Sequence, residues 1–505
     1  MKLKNLIADI DTLKIVGSLD VEVAGIHCDS QRIHKKDIFV AVRGEKVDGH
    51  QFIREAVASG ASVVVCEEMI GVFPSITQVQ VTNCRAALAR LAAKFYGRPS
   101  EKMRLIGITC TNGKTTTSYL VAAILEAGGI PTGIIGTLAY RFGNRELPAP
   151  NTTPPADELQ EILAQMLHAG MKAVAMEVSS HALLQHRADE VLWDVGIFTN
   201  FTRDHLDYHK TMESYFDAKK ILFQQLGTDS KKATAVLNLD DPKSEELRHQ
   251  LGQNVRVITY GLHHSADVRA ESVEQSITGC RFILAVQDQR VQCSTSLCGA
   301  YNISNVLAAA ATALALGLNL VTIQKGIGSL RSVPGRLERV GDQDSAKTFV
   351  VIVDYAHTDD ALRNVLNTLR PFVRGRLITV FGCGGNRDAS KRSLMGQVAS
   401  ELSDINILTT DNPRYEEPSD IVEQIVAGFK ARKNYEAVLD RREAIHKALI
   451  MARDGDIVLL AGKGHETYQD IRGRRTPFDD RKVALELLQS LPGIAHQEGG
   501  AAWKN

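Results

Sequence analysis

Neither sign of charge is in surplus in these 505 residues: lysine plus arginine and aspartate plus glutamate stand at 59 each. A chain without net charge is poorly suited to be a nucleic-acid scaffold or a polybasic membrane binder, although a local basic pocket stays open to it. Cysteine is sparse. The eight, at 28, 66, 84, 110, 280, 293, 298 and 383, form no Cys-x-x-Cys pair and have no histidines clustered beside them. That speaks against a disulfide framework or a structural zinc. Long apolar runs are missing as well: nowhere do about eighteen apolar residues stand together, so no membrane-spanning helix is expected. Residues 1–10 lack a long apolar core and reach an acid at Asp9, and no internal repeat is found. A soluble, cytoplasmic protein without stable membrane association or nucleic-acid partner is expected.

This length exceeds what one core supports, and about three domains follow from it. Residues 1–100 alternate short apolar runs (37–42, 61–66, 78–81) with helical patterns such as 83–96, a small α/β unit closed by Gly97-Arg98-Pro99-Ser100. Over 101–333, apolar runs at 173–178, 195–200 and 233–238 alternate with helical patterns, as a mostly parallel sheet requires. The pattern pauses near Val333-Pro334-Gly335-Arg336 and restarts with runs at 349–355, 377–382, 405–410 and 457–461. Residues 334–505 therefore read as a third α/β domain, with a frayed tail after Pro492.

Gly107-Ile-Thr-Cys-Thr-Asn-Gly-Lys-Thr-Thr116 is the most informative stretch. An apolar run at 105–108 precedes it and a helical pattern at 117–125 follows. Strand, tight loop and helix N-terminus aim backbone N–H groups and the positive end of the helix dipole at an anion, so a nucleotide phosphate is expected here. Lys114 would reach the terminal phosphates, and the Thr115 hydroxyl would ligate Mg²⁺. The general pattern Gly-x-x-x-x-Gly-Lys-Ser/Thr wants its first glycine at 108, which is Ile108. The glycine sits one place early.

Polar clusters end the other apolar runs, where open α/β sheets place their ligands. Glu177-Val178-Ser179-Ser180-His181 closes one, and Thr202-Arg203-Asp204-His205-Leu206-Asp207-Tyr208-His209 follows another. Taken alone, Glu177 reads as a solvated strand terminus, whereas His205 beside Asp204 is a reasonable metal or phosphate ligand. Lys219 and Lys220, on an amphipathic helix, read as solvated ammonium groups. Asn302 and Asn305 stand before an Ala-rich helix at 306–316, which either could cap. In the third domain, Asp354-Tyr355-Ala356-His357, Gly382-Cys383-Gly384-Gly385-Asn386-Arg387-Asp388, Asp411-Asn412-Pro413-Arg414 and Gly462-Lys463-Gly464-His465-Glu466 end successive strands. A turn accounts for Asp-Asn-Pro, but not for the guanidinium that follows it.

These motifs resemble the Mur ligase family of peptidoglycan synthesis, in family order, from Asp29-Ser30 to Glu466: Thr-Asn-Gly-Lys-Thr-Thr, Glu-Val-Ser-Ser-His, Arg-Asp-His-Leu-Asp-Tyr-His, Asn-x-x-Asn, Pro-Gly-Arg, Asp-Tyr-Ala-His and Gly-Lys-Gly-His-Glu. The resemblance implies three domains: an N-terminal α/β domain for the UDP end (1–100), a central P-loop ATPase (101–333) and a Rossmann-like domain for the incoming amino acid (334–505). It implies ATP contacts at Cys110, Thr111, Asn112, Gly113, Lys114, Thr115, Thr116, Asn302, Asn305, Arg336 and Asp354. Family members commonly carry glycine where this chain has Cys110. The implied catalytic set is Lys114, Glu177, His205 and Lys219. Two Mg²⁺ sites are implied, with ligands from Thr115, Glu177, His205 and Lys219, the last carbamylated by CO₂. UDP-sugar-peptide contacts carry over to Ser30, Glu45, Lys46, Val47, Asn151, Thr152, Thr153, Ser179, Gln185 and Arg187.

The expected reaction is ATP-dependent joining of meso-2,6-diaminopimelate to UDP-N-acetylmuramoyl-L-alanyl-D-glutamate through an acyl phosphate, by a monomer. Diaminopimelate differs from lysine by one distal carboxylate, and Arg387, Asp411, Asn412, Pro413, Arg414, Gly462 and Glu466 are its expected contacts. Arg414 pairs that carboxylate and Glu466 accepts from the distal ammonium. No residue stands out as a general base: His357 is a candidate near the phosphates, and a structural or orienting role is the preferred reading for it. The alternatives are the lysine-adding enzyme of the family, a folylpolyglutamate-synthase-like ligase, and a nucleotide-dependent regulatory protein without ligase activity.

Overall fold

The computed structural model describes residues 1–44, 47–71, 73–228, 231–262, 265–341, 349–430 and 433–490. Glu45, Lys46 and the tail after Pro492 lie outside the described residues. By packing, the chain falls into two compact units: Met1–Ser272 with Phe282–Cys293 and Ser304–Leu330, and Val273–Arg281 with Ser294–Ile303 and Arg331–Asn505.

The first unit opens on a five-stranded sheet ordered Thr12–Val16, Thr77–Val81, Val63–Cys66, Ile38–Val40, Ile26–His27, parallel except at its first strand. Asn83 starts the helix Cys84–Phe95 by accepting from the N–H groups of Arg85 and Ala86, two donors the helix leaves unpaired. The larger sheet has eleven strands. Its centre is parallel, in the order Thr132–Ile135, Ala173–Glu177, Arg104–Thr109, Val195–Phe198, Thr234–Asn238, Arg256–Gly261. These strands are buried on both faces, so they read as continuous apolar runs rather than as alternation. Antiparallel pairs extend the edges, Ala139–Phe142 with Arg145–Pro148 among them; such hairpins carry no continuous apolar run and escape the sequence pattern.

The two sheets of this unit are tied near the loop at 151–155. Cys28 N–H donates to Asp157, Arg32 pairs with Glu161 at 2.9 Å, and Arg98 pairs with Glu190 at 3.2 Å. Trp193 is almost wholly buried, and its ring faces Gly107, where an added Cβ would stand 3.0 Å from it and from Leu222. Losing that ring would cost about 3–5 kcal/mol.

The second unit holds a six-stranded sheet ordered Glu338–Arg339, Val350–Asp354, Ile457–Ala461, Leu377–Phe381, Ile405–Leu408, Tyr435–Ala437, parallel apart from its first strand. A separate hairpin, Tyr468–Ile471 with Arg474–Pro477, follows it. A buried ion pair braces the carboxyl ends of these strands: Arg441 grips Asp480 at 2.7 Å and donates to the carbonyl of Ala461. The helix expected from 306 begins at Ala300, so Asn302 and Asn305 lie inside its first turns and neither caps it. The eight cysteines are free thiols, and among the described residues no helix is long and apolar enough to cross a membrane.

Candidate active site

The strand Arg104–Thr109 ends in a loop that feeds the helix Lys114–Ala127. Gly113 takes φ +96°, and a Cβ there would stand 2.4 Å from Asn305 Oδ1, so only glycine fits. The early glycine of the motif has a different explanation. Gly107 lies inside the strand, where Trp193 and Leu222 close over it, and it belongs to the packing beneath the loop.

The loop is pinned from below. Asn200 accepts from Asn112 N–H and returns its amide to the Asn112 carbonyl, both at 2.8 Å. Thr199 donates to that same carbonyl, and Thr111 exchanges hydrogen bonds with the backbone of Thr202. Cys110 is buried under the loop, with its thiol turned to the Asn112 carbonyl at 3.1 Å.

Two ammonium groups meet at one acceptor. Lys114 Nζ donates to the carbonyls of Cys110 (2.8 Å) and Thr111 (3.0 Å), and Lys219 Nζ donates to the Cys110 carbonyl at 2.9 Å. The expectation that Lys219 is solvated is wrong: it is only 1% exposed, on the buried face of the helix Met212–Gln224, over the Tyr215 ring. Lys220 is the solvent-side lysine, paired with Asp217 and Glu246. Burial, and next the Lys114 charge, hold the Lys219 pKa well below the ordinary lysine value.

Glu177 is likewise buried rather than a solvated strand end. Its carboxylate accepts from the Thr115 hydroxyl at 3.1 Å and from the Thr137 hydroxyl and N–H at 2.9 and 3.1 Å, all neutral donors. Burial lowers His205 to about 4, with Lys114, His181 and Lys219 pushing the same way against Asp204. The imidazole is therefore neutral at neutral pH, the form that ligates metal. Among the described residues no three His, Cys, Asp or Glu side chains converge as a ready-made metal cage.

A second polar group surrounds the loop at 151–153. Thr152 meets Thr137 at 3.0 Å, Thr153 donates to the Glu177 carbonyl and accepts from Ser179 N–H, and the Asn151 carbonyl accepts from Tyr140. Arg187 donates to the Thr153 carbonyl and to Gln185, neutral acceptors both, and burial beside Arg85 pulls its pKa below the ordinary arginine value. Such a guanidinium is suited to an incoming carboxylate or phosphate. Ser30 is buried in the short turn Ser30–Arg32 of the N-terminal sheet, while Val47 is half exposed.

In the second unit, Asp354 accepts from the N–H groups of Leu337 and Ala356, Arg336 lies over the Tyr355 ring, and His357 and His465 flank that ring. Asn302 donates to the Cys298 carbonyl at 2.7 Å. The turn at 411–414 gathers the other candidates. Asn412 donates to Glu466 at 2.7 Å, Asp411 stands against Gly462, and Arg414, at φ +53°, donates to the Gly385 carbonyl at 2.8 Å. Gly384 faces both Arg414 and the exposed Arg387.

Several residues here escaped the sequence reading. Asn200, Thr199, Thr137 and Arg392 all carry hydrogen bonds that fix these loops, Arg392 by holding Glu416 and the Gly384 carbonyl. The signal available was position at the end of an apolar run, which Thr199 and Asn200 carry.

Comparison with known proteins agrees with this geometry. Family models match at residues 22–96 (Mur ligase family, catalytic domain), 108–313 (Mur ligase middle domain) and 335–464 (Mur ligase, glutamate ligase domain). A UDP-N-acetylmuramoyl-L-alanyl-D-glutamate–2,6-diaminopimelate ligase of Geobacter metallireducens is 45% identical, across 97% of this chain and 99% of its own length. A solved structure of a ligase of that name superposes with a TM-score of 0.68 at 32% identity, covering 97% of this chain and all of that one. The MurF ligase of Thermotoga maritima in complex with ADP shares the fold, with a TM-score of 0.64 at 20% identity over 93% of this chain and 98% of its own. With three family domains matched in order and an identity of 45% across nearly the whole chain, the protein belongs to the Mur ligase family.

Proposed function

We propose that this ligase uses ATP to join meso-2,6-diaminopimelate to the D-glutamate of UDP-N-acetylmuramoyl-L-alanyl-D-glutamate, acting in the cytoplasm as a monomer. Residues 1–100 would hold the UDP end with Ser30 and the loop at 45–47, residues 101–333 the nucleotide, and residues 334–505 the amino acid. The observation that carries the reading is the turn at 411–414. It fixes a guanidinium on the Gly385 carbonyl and carries Asn412, which is bonded to the part-buried Glu466 carboxylate, groups suited to a substrate with a carboxylate and an ammonium at its far end.

A carboxylate does not accept an amine at neutral pH because oxide is too poor a leaving group. Phosphoryl transfer from ATP turns that oxygen into phosphate. The loop N–H groups of residues 110–116 and the Lys114 ammonium would hold the β- and γ-phosphates and offset charge on the γ-phosphoryl oxygens as the D-glutamate carboxylate attacks. Asn302, Asn305, Arg336 and Asp354 would hold the remainder of the nucleotide. Thr115, Glu177, neutral His205 and carbamylated Lys219 are the groups suited to Mg²⁺, which polarises phosphoryl oxygens when bound. Thr152, Thr153, Ser179, Gln185 and Arg187 would orient the dipeptide. The amine then attacks the acyl carbon and phosphate leaves.

ATP-dependent phosphate release with the UDP-dipeptide tests the reading. Release is expected with meso-diaminopimelate and at a small fraction of that rate with L-lysine, ornithine or no amine. Release with lysine but not diaminopimelate would assign the lysine-adding activity instead, and release indifferent to both substrates would leave a nucleotide-dependent regulator.

Gly136 offers a second test. A Cβ there would stand 2.2 Å from Glu177 Oε1, and that oxygen is held by Thr137 N–H, so the carboxylate must leave its place. Gly136→Ala is expected to lower kcat by about a hundredfold with the KM for diaminopimelate unchanged. Unaltered kcat would remove Glu177 from the phosphoryl-transfer site.

A further inference from the structure

Lys463 lies between two glycines in the loop after the strand Ile457–Ala461, and it is wholly buried. Lysine is almost never fully buried unless paired, because its ammonium loses hydration. Here the ammonium is met by three acceptors from three segments: Tyr468 carbonyl at 2.6 Å, Glu466 Oε2 at 3.1 Å and Asn412 Oδ1 at 3.4 Å. The first opens the hairpin Tyr468–Pro477, the second lies on the lysine's own loop, and the third is on the turn at 411–414.

The same hairpin grips that turn by its backbone. Arg414 N–H donates to the Asp470 carbonyl at 3.0 Å, the Arg414 carbonyl accepts from Arg472 N–H at 2.6 Å, and Asp470 N–H donates to Asn412 Oδ1 at 2.9 Å. Arg414 holds a left-handed backbone conformation that is unfavourable for a side-chain-bearing residue, so something must enforce it. The hairpin does so, and Lys463 ties the hairpin to Glu466 and Asn412.

We propose that Lys463 is a positioning residue for the amino-acid substrate: its buried ammonium aims the Glu466 carboxylate and locks it to the turn that carries Arg414. This rests on the ligase activity proposed above. Glu466 needs such a partner. Burial, and then Asp411, push its pKa above the ordinary glutamate value, while Lys463 and Asn412 oppose them. Arg441 and Tyr355 from the neighbouring elements, and His465 on the same loop, also lie around this carboxylate. Without Lys463 the pKa of Glu466 would rise further, and its carboxylate would lose the donor that aims it at the distal ammonium of the substrate.

Lys463→Met, which keeps the stem and removes the charge, is expected to raise KM for meso-diaminopimelate by about ten- to a hundredfold. KM for ATP and for the UDP-dipeptide, and kcat at saturating amine, should stay within about twofold. The sign of the pH effect follows from Glu466: its folded pKa rises in the variant, so the acid limb of kcat/KM for diaminopimelate moves to higher pH. Lys463→Arg keeps a cation and should recover much of the loss. In a Glu466→Gln background the Lys463→Met effect should nearly vanish, because the group it acts through is gone. Should Lys463→Met fail to fold, Lys463→Gln takes its place and is read by the same three KM values and the same shift of the acid limb.

Equal rises in all three KM values, or an acid limb that persists in Glu466→Gln, would make Lys463 a structural staple and overturn the proposal. A wild-type enzyme that releases no phosphate with diaminopimelate fails the activity itself, a separate result.

Discussion

Replacing Lys219 with methionine is expected to lower kcat by about a thousandfold while leaving the fold intact and slightly firmer. The two halves of this expectation come from one observation, the burial of the Lys219 amine beside Lys114 at a shared carbonyl. A pKa held well below the ordinary lysine value leaves more of the amine neutral near neutral pH. Only the neutral amine attacks CO₂: its lone pair forms the N–C bond, a carbonyl π pair moves to oxygen, and one N–H proton departs, giving a carbamate. In the proposed carbamate an anion would stand next to Lys114, and the like-charge pair would become an opposite-charge pair. Methionine fills the same space and can do none of this.

The stability half has a definite sign. In the folded chain the amine binds its proton less tightly than in the unfolded chain, so burying it costs stability at every pH below the unfolded lysine value of about 10.4, and the cost fades as pH rises toward it. Lys219→Met should therefore melt at or above the wild-type temperature at pH 7 when bicarbonate is excluded, with the gap closing by pH 10. The Cys110 carbonyl keeps its bond from Lys114 in the variant, so no acceptor is left orphaned. A melting temperature several degrees lower would contradict the argument from burial, and a variant retaining its kcat would remove Lys219 from the chemistry. Carbon-13 NMR after equilibration with labelled bicarbonate should show a carbamate signal in the wild type alone.

The parallel cores were the legible part of the fold, because strands buried on both faces must be continuous apolar runs: the strand Ile457–Ala461 coincides with its run, and the others agree within a few residues. The edges were not legible. Hairpins such as Ala139–Phe142 with Arg145–Pro148 mix exposed and buried positions and depend on a neighbouring strand for their order. In the site, motif order brought out the loop at 110–116, Glu177 and the turn at 411–414, yet the depth of each side chain was hidden. Lys219 and Lys220 are adjacent and chemically alike, and only the rotation of one helix sends the first inward. Gly107 was legible as a glycine and misleading as a motif, since Trp193, 86 positions on in the sequence, gives the reason for it. Lys463 was legible only as a member of the cluster 462–466, and its role was hidden because its three acceptors come from segments whose meeting no spacing rule predicts.

Arg414→Ala is expected to lower kcat/KM for meso-diaminopimelate by about a thousandfold, while the rate with L-lysine changes by less than about threefold and the preference between them collapses. The two amino acids differ only in the distal carboxylate, so a group that pairs it contributes to one substrate and not to the other. A guanidinium offers that carboxylate two parallel N–H donors, and here it is preset: the left-handed backbone at Arg414 is clamped between Asp470 and Arg472, and Nη1 is anchored on the Gly385 carbonyl. Presetting matters because the entropy of fixing a long side chain is then lost on folding rather than on binding. It also predicts failure of the conservative change. Arg414→Lys keeps the charge but not the planar fork or the reach to Gly385, and should recover less than about a tenth of the lost kcat/KM. Lysine binding would leave the Arg414 fork without an anion in a half-buried site, and that penalty would supply the wild-type discrimination. Arg387, exposed on the far side of Gly384, has no such anchor among the described residues, and Arg387→Ala should cost less than about tenfold. Competition of both amino acids in one reaction, with products separated by mass, reads the ratio directly. An Arg414→Ala enzyme that still prefers diaminopimelate by the wild-type factor would move the source of specificity elsewhere, with Glu466 and Lys463 the next groups to test.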